Sequence, residues 1–469
     1  MSTLRAKSPK SREKRLDTIT AYYGGIQPLL DEYGAAAVPQ RIRTFSQGTA
    51  DDLICALRLL SGIRNAVTIV HGPRGCAAAQ LYHETVGGSR RWGVTNLDER
   101  DTIMGADAKL RVTVKALWRR YRPELLFIVA TPAVAINNDD IQSVADELGD
   151  ELSVPIIPVY VSGFASRCAA TGYDTALHSL ARQFARGSGE RGRSLVNLVS
   201  VAETAADRAE AQRLLGELGL GVTTLPDGAD AERFGRIGDA GQTVLLDPDR
   251  GDYLGWVLHA VFGIPVVESG RPIGVAATGA WLAAIGSTTG REREAAELHV
   301  RSAATLNDLL EEAPLHGVRV CLGLPTATAL AVADLVRELG GEVVGITVDQ
   351  IDHRHRSRLV ELQRISPNLQ LHVAADQPFE ESNILRRLRP GLYVGGAGAL
   401  VQAAHLGIPV VSLDRTPLVG YRGVTAFAHA AARALKNSSF VTALAGNGHP
   451  YLDAWYRRSP NWHIKQEVK

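Results

Sequence analysis

Asn65-Ala-Val-Thr-Ile-Val-His71-Gly-Pro-Arg-Gly-Cys76 is the stretch whose reading decides the fold. An apolar, β-branched run ends in a Gly/Pro loop that carries a cysteine. That pattern reads as a buried parallel strand followed by a tight turn. In open α/β sheets ligands bind at the carboxyl ends of such strands. Gly72 and Gly75 are expected to let the backbone turn sharply, and Pro73 to stiffen the turn. A helix-compatible stretch follows from Ala77 to about Val86, which places Cys76 near a helix N-terminus. The partial positive charge there favours a thiolate. A thiolate at this place suits a soft metal or an iron–sulfur cluster. The competing reading is a small core cysteine in a tight turn, the common fate of a free cysteine.

Outward from this stretch, apolar strands alternate with helical periodicity. After the 66–71 strand, strands are expected at 125–130 and 156–161, then at 195–201, 221–225, 243–247 and 264–267. A third group follows at 318–322, 342–348, 369–373, 391–395 and 408–412. A short helix is expected at 16–23, and Gly187–Gly192 reads as a linker. Val154-Pro-Ile-Ile157, Ile264-Pro-Val-Val267 and Ile408-Pro-Val-Val411 repeat one helix-to-strand junction. The class is therefore α/β, with three similar units of parallel sheet and right-handed crossovers. The expected division is an N-terminal extension over 1–45, then domains over 46–190, 191–314 and 315–469.

The composition bounds the function. A chain of 469 residues exceeds one core. Its formal net charge of +1 gives no drive toward nucleic acid or an anionic membrane. No apolar run approaches the roughly 18 residues of a membrane span. The basic start (Arg5, Lys7, Lys10, Arg12, Lys14, Arg15) has no apolar segment behind it and is expected to be a solvated tail, not a secretory signal. The four cysteines, Cys55, Cys76, Cys168 and Cys321, lie far apart with no CxxC, which fits a reducing cytoplasm. If Cys76 binds a cluster, its other ligands come from distant loops or another chain.

Other candidates carry less chemistry. No Walker loop, HExxH or GxSxG occurs. Gly395-Gly-Ala-Gly398 has the wrong spacing for a dinucleotide and reads first as a strand-to-helix turn. His353 and His355 stand among arginines and are expected to be solvated. Asp139-Asp140 reads as an N-cap pair, Asp98–Asp101 as a salt-linked loop or an interface, and Cys55 as a buried structural thiol.

His71-Gly-Pro-Arg-Gly-Cys76, Thr95-Asn-Leu-Asp-Glu-Arg-Asp-Thr-Ile-Met-Gly105, Ala130-Thr-Pro-Ala-Val-Ala-Ile-Asn-Asn-Asp-Asp140 and Gly163-Phe-Ala-Ser-Arg-Cys-Ala-Ala-Thr-Gly-Tyr-Asp174 stand in a familiar order. Together they resemble component 1 of nitrogenase and its relatives: the catalytic subunits, the cofactor-assembly scaffolds and the dark-operative chlorophyll-type reductases. The resemblance runs from about Arg41 to Leu435. It implies three Rossmann-like domains. It also implies an Fe–S cluster at the interface of two homologous subunits, either P-cluster-like with eight irons or 4Fe–4S. An ATP-dependent iron protein would supply the electrons. By this resemblance Cys76 is a cluster ligand, Ser46 stands where the family has a first cysteine, and Pro132 falls at the place of the third. Cys168 lies in a loop from which a side chain can approach the cluster, and its thiol would restore a second ligand. The cysteine that holds the active-site cofactor in the α subunit falls near Asp247 here, and no histidine occupies the corresponding region before Gly420-Tyr421.

The resemblance thus implies a β-type subunit in a heterodimer or heterotetramer with an α-type homologue. It would be part of a cytoplasmic reductase, with methylthio-alkane reduction the preferred branch. The catalytic residues and the substrate are not given by the sequence. Two other readings stay open: a non-catalytic scaffold for cofactor assembly, and a cluster-free α/β ligand-binding protein.

Overall fold

The Ala66–His71 strand lies inside a parallel four-stranded sheet, between Trp92–Val94 on one side and Leu125–Ala130 on the other, with Ile156–Tyr160 beyond. The computed structural model describes residues 4–34, 38–43, 50–83, 91–161, 166–188, 191–414, 416–445, 453–462 and 464–466. Ser46 lies outside them.

Strand periodicity sorts this first sheet into two cores. Val70, Leu125, Phe127 and Val129 face one apolar cluster, with the helices Asp52–Ser61 and Thr171–Phe184 packed over it. Val67, Ile69, Leu126 and Ile128 face the other, covered by helices Asp107–Tyr121 and Ile141–Leu152. Burial on both faces is why these strands read as continuous apolar runs rather than alternating ones. The first cover is unusually close. A Cβ on Gly172 would stand 1.8 Å from the Asp52 carbonyl oxygen, so only glycine lets the two helices cross there.

A second parallel sheet is ordered Val266–Val267, Ala240–Leu245, Gly192–Ser200, Gly221–Pro226. Both sheets belong to one compact unit, made of the segment ending at Arg12 with Ala50–Glu203 and Gly219–Val267.

The other unit comprises Glu13–Thr49, Thr204–Leu218 and Glu268–Lys469. Its six-stranded sheet runs Tyr22–Gly25, Gln370–Val373, Glu342–Val348, Arg319–Gly323, Leu392–Gly395, Val410–Ser412. All neighbours are parallel except the first pair. The helix expected over 16–23 is thus corrected. A helix ends at Leu16, and Tyr22–Gly25 is an antiparallel edge strand paired with Gln370–Val373. Long-range backbone pairing overrides the local pattern. Gly395–Gly398 is the strand-to-helix turn expected of it, with a helix starting at Ala397.

Of the two histidines expected to be solvated, His353 is exposed and His355 is not. His355 is buried and its Nδ1 accepts the Asp352 backbone N–H at 3.1 Å. His353 Nδ1 sits 2.9 Å from the Leu16 carbonyl oxygen. Among the described residues no helix is long and apolar enough to cross a membrane.

Candidate functional site

At the carboxyl end of the central strand the helix starts at Arg74, earlier than the sequence suggests, so Cys76 occupies its first turn. The Cys76 backbone N–H donates to the Pro73 carbonyl at 3.1 Å. Neither Gly72 nor Gly75 has a positive φ. Gly72 is there for room instead. A Cβ on it would lie 2.2 Å from Thr131 Oγ1 and 2.5 Å from its Cγ2. Thr131 fills that space, fully buried, and donates from both its backbone N–H (3.2 Å) and its hydroxyl (2.9 Å) to the His71 carbonyl. Its hydroxyl also bonds the Cys76 thiol. The next segment, Pro132–Asn137, is a helix with Pro132 in its first turn, where a missing N–H costs nothing.

Burial, reinforced by Asp51, pushes the Cys76 thiol up; Thr131 pulls the other way without winning. The expected thiolate is therefore not a property of this chain by itself, because desolvation and a nearby carboxylate outweigh the helix start. Among the four cysteines, Cys55, Cys168 and Cys321 are buried and Cys76 is half-buried. Cys321 is pushed up to about 12 by burial, an inert core thiol. Cys55 bonds the Tyr173 hydroxyl.

His71 is fully buried beneath the loop. Its Nδ1 lies 3.1 Å from Thr95 Oγ1, and the same oxygen accepts the Gly72 N–H at 2.9 Å. Burial drives His71 down to about 4, so the ring is neutral near pH 7. Nε2 faces Asp139 Oδ2 at 3.5 Å, and burial, helped by Asp107, raises the Asp139 carboxyl. Asp140, not Asp139, caps the following helix, accepting the Ser143 N–H at 3.2 Å.

Cys168 is 2% exposed, at the entrance to helix Thr171–Phe184, and borders the same apolar core as Cys76. Ser166 brackets it: the Cys168 N–H donates to Ser166 Oγ, and that hydroxyl contacts the Cys168 carbonyl, each at 3.1 Å. The neighbouring cation overturns the expectation of a solvated tail. Arg12 is fully buried, its guanidinium 2.7 and 3.1 Å from the two Asp174 oxygens and 3.1 Å from Asp252. Burial works against its charge, but Asp174 and then Asp252 outweigh it and raise Arg12 well above its ordinary value, with Cys168 also contributing.

Asp247 is a structural group. Its Oδ1 caps the helix from Pro248 by accepting the Asp249 N–H at 2.8 Å, and Oδ2 lies 3.4 Å from Arg250 Nε. Asp98 and Asp101 form a capping box at the start of helix Glu99–Met104, with Lys109 against Asp101. That helix carries a feature the sequence reading missed: Ile103 is 81% and Met104 77% exposed. Ile136, on the helix after Thr131, is 72% exposed, and Asn137 Nδ2 ties the two helices by donating to the Thr102 carbonyl at 2.6 Å. The signal was an Ile-Met pair set in an otherwise polar stretch.

A family model described as nitrogenase component 1 type oxidoreductase matches residues 52–436. The chain belongs to that family. Its curated relatives include the nitrogenase iron-iron protein beta chain of Rhodobacter capsulatus, 23% identical across 80% of this chain and 90% of that one. The nitrogenase iron-molybdenum cofactor biosynthesis protein NifE of Methanococcus maripaludis is 22% identical across 91% of each chain. A light-independent protochlorophyllide reductase subunit of Rhodospirillum rubrum is 28% identical across 76% of this chain and 67% of that one. Among solved structures, nitrogenase Cp1 at pH 6.5 superposes with a TM-score of 0.75 at 19% identity, covering 85% of this chain and 94% of that one. The component 1 fold expected from the sequence is the fold observed.

Proposed function

We propose that this nitrogenase component 1 type chain is a β-type subunit that holds part of an intersubunit Fe–S cluster through Cys76. The observation that carries the reading is the half-buried thiol at the end of the central strand, where the other three cysteines are buried. The donor set fits a shared group, not a complete site. One accessible thiol cannot close a cluster of four thiolates, so the remaining ligands come from an α-type homologue. Cys168 is a second candidate from its position, and Ser46 remains a candidate by resemblance alone. A bound cluster, P-cluster-like or 4Fe–4S, would supply one-electron transfer between an ATP-dependent iron protein and the active site on the partner. The hard, structurally engaged Asp247 supports a chain without an active-site cofactor of its own. C–S bond reduction of methylthio-alkanes is the preferred chemistry of the assembly, and an extension over 1–45 followed by domains over 46–190, 191–314 and 315–469 is the preferred organisation of this chain.

In the co-expressed complex, Cys76→Ala is expected to lower iron content and abolish turnover. Unchanged iron sinks the ligand role. The scaffold reading draws on the similarity to NifE, and multiple-turnover reduction by the purified complex excludes it. A complex that binds a nucleotide tightly and contains no iron would favour the cluster-free reading.

The Ile103–Met104–Ile136 patch is the proposed contact surface for these partner proteins, since exposed apolar clusters of this kind mark interfaces. Met104→Asp changes only an exposed side chain, so stability should stay within about 0.5 kcal/mol of wild type. Turnover should drop about tenfold or more, as for an interface anchor. A dissociated complex on gel filtration assigns the patch to the α-type subunit, and an intact but slow complex assigns it to the reductase. Wild-type assembly and turnover together remove the patch from either role.

A further inference from the structure

We propose that Thr131 is a positioning residue for the Cys76 sulfur, its hydroxyl turning from the His71 carbonyl to the sulfur when Cys76 holds a metal group. This rests on the reading of Cys76 as a ligand. The threonine carbons cannot move far, because the side chain is fully buried and occupies the space where a Gly72 Cβ would stand. The hydroxyl proton can. One proton serves two neighbours: it now goes to the His71 oxygen at 2.9 Å, while the Cys76 thiol shares Oγ1.

In the metal-free chain the S–H supplies the proton for the sulfur–oxygen contact. Metal binding requires the thiolate, and the thiol proton leaves to solvent. The sulfur is then an acceptor facing an oxygen, and the contact is favourable only if the hydroxyl rotates toward it. Rotation leaves no orphan, because the His71 carbonyl keeps the Thr131 backbone N–H at 3.2 Å. A hydrogen bond to a ligating sulfur draws electron density from it and raises the reduction potential of the bound group. Gly72 is thus what seats the donor.

The test uses the co-purified complex carrying Thr131→Val or Thr131→Ser. Iron is measured per complex, and the midpoint potential by dye-mediated titration followed by electron paramagnetic resonance. Valine keeps the shape and removes the donor; serine keeps the donor. The expected result is wild-type iron in both, a potential shifted negative in T131V, and a potential near wild type in T131S. Iron lost in T131V but held in T131S supports the same dependence on the hydroxyl. An unchanged potential in iron-replete T131V, or iron lost equally in both variants, overturns the proposal and leaves Thr131 a packing residue. Wild-type complex without iron, or C76A with full iron, overturns the ligand reading first and this proposal with it.

Discussion

Arg12→Met is expected to destabilise the unit that carries Cys76 by about 3–5 kcal/mol, the usual cost of removing one partner from a buried ion pair. Arg12 and Asp174 are both fully buried, and the guanidinium makes two hydrogen bonds to Asp174 and a third to Asp252. Methionine replaces the stem of the side chain but leaves the Asp174 carboxylate in the core without that cation. The loss should appear as a lower urea midpoint and as faster amide exchange across helix Thr171–Phe184. Pairing the change with Asp174→Leu should recover most of the stability, because most of the cost lies in keeping the Asp174 charge buried once Arg12 is gone. A single-variant loss under about 1 kcal/mol would show the pair to be solvated in solution.

The second large effect is on pH dependence in the other unit. Glu381 stands in the first turn of helix Pro378–Leu388, and burial pushes its carboxyl up to about 7. The Tyr393 hydroxyl, which donates to Glu381 Oε1, opposes this and Asp376 adds to it. The folded state therefore holds a proton that the unfolded chain, near 4.5, has released. Stability from this group is complete below about pH 4.5 and is lost as pH rises through about 7. A displacement of that size corresponds to about 3 kcal/mol. His71 slopes the other way. Held neutral down to about 4 against an ordinary 6.5, it removes stability as pH falls between those values. Glu381→Gln isolates the first effect. It keeps an acceptor for Tyr393 and carries no charge, so its unfolding free energy should match wild type at about pH 4 and below and exceed it by about 3 kcal/mol at pH 8 and above. Parallel pH curves for the two proteins would place the Glu381 carboxyl in water.

Much of the architecture was legible because parallel strands covered on both faces must be apolar throughout. The strands 66–71, 125–130 and 156–160 stand where the runs of Val, Ile, Leu and Phe put them. The loop with Cys76 was legible for a related reason: a strand that must stop and turn at a sheet edge needs small residues there. What the loop residues are for was not legible. Gly72 was read as a source of backbone freedom, yet its φ is ordinary and the absent Cβ makes way for Thr131, a residue distant in sequence. The helix start was read as a source of thiolate, yet burial, with Asp51 adding to it, raises the thiol. Arg12 was read as tail and is core.

The sequence alone determined the α/β class, the order of the strands along the chain, the family and the place of one cysteine at the end of a central strand. These are local matters of period, composition and motif. Only the tertiary structure decided which charges are buried together, that Tyr22–Gly25 pairs as a strand with Gln370–Val373, and that Thr131 stands over Gly72 against Cys76. Burial and pairing energies belong to contacts between residues far apart in the chain, and no window of sequence contains both sides of such a contact.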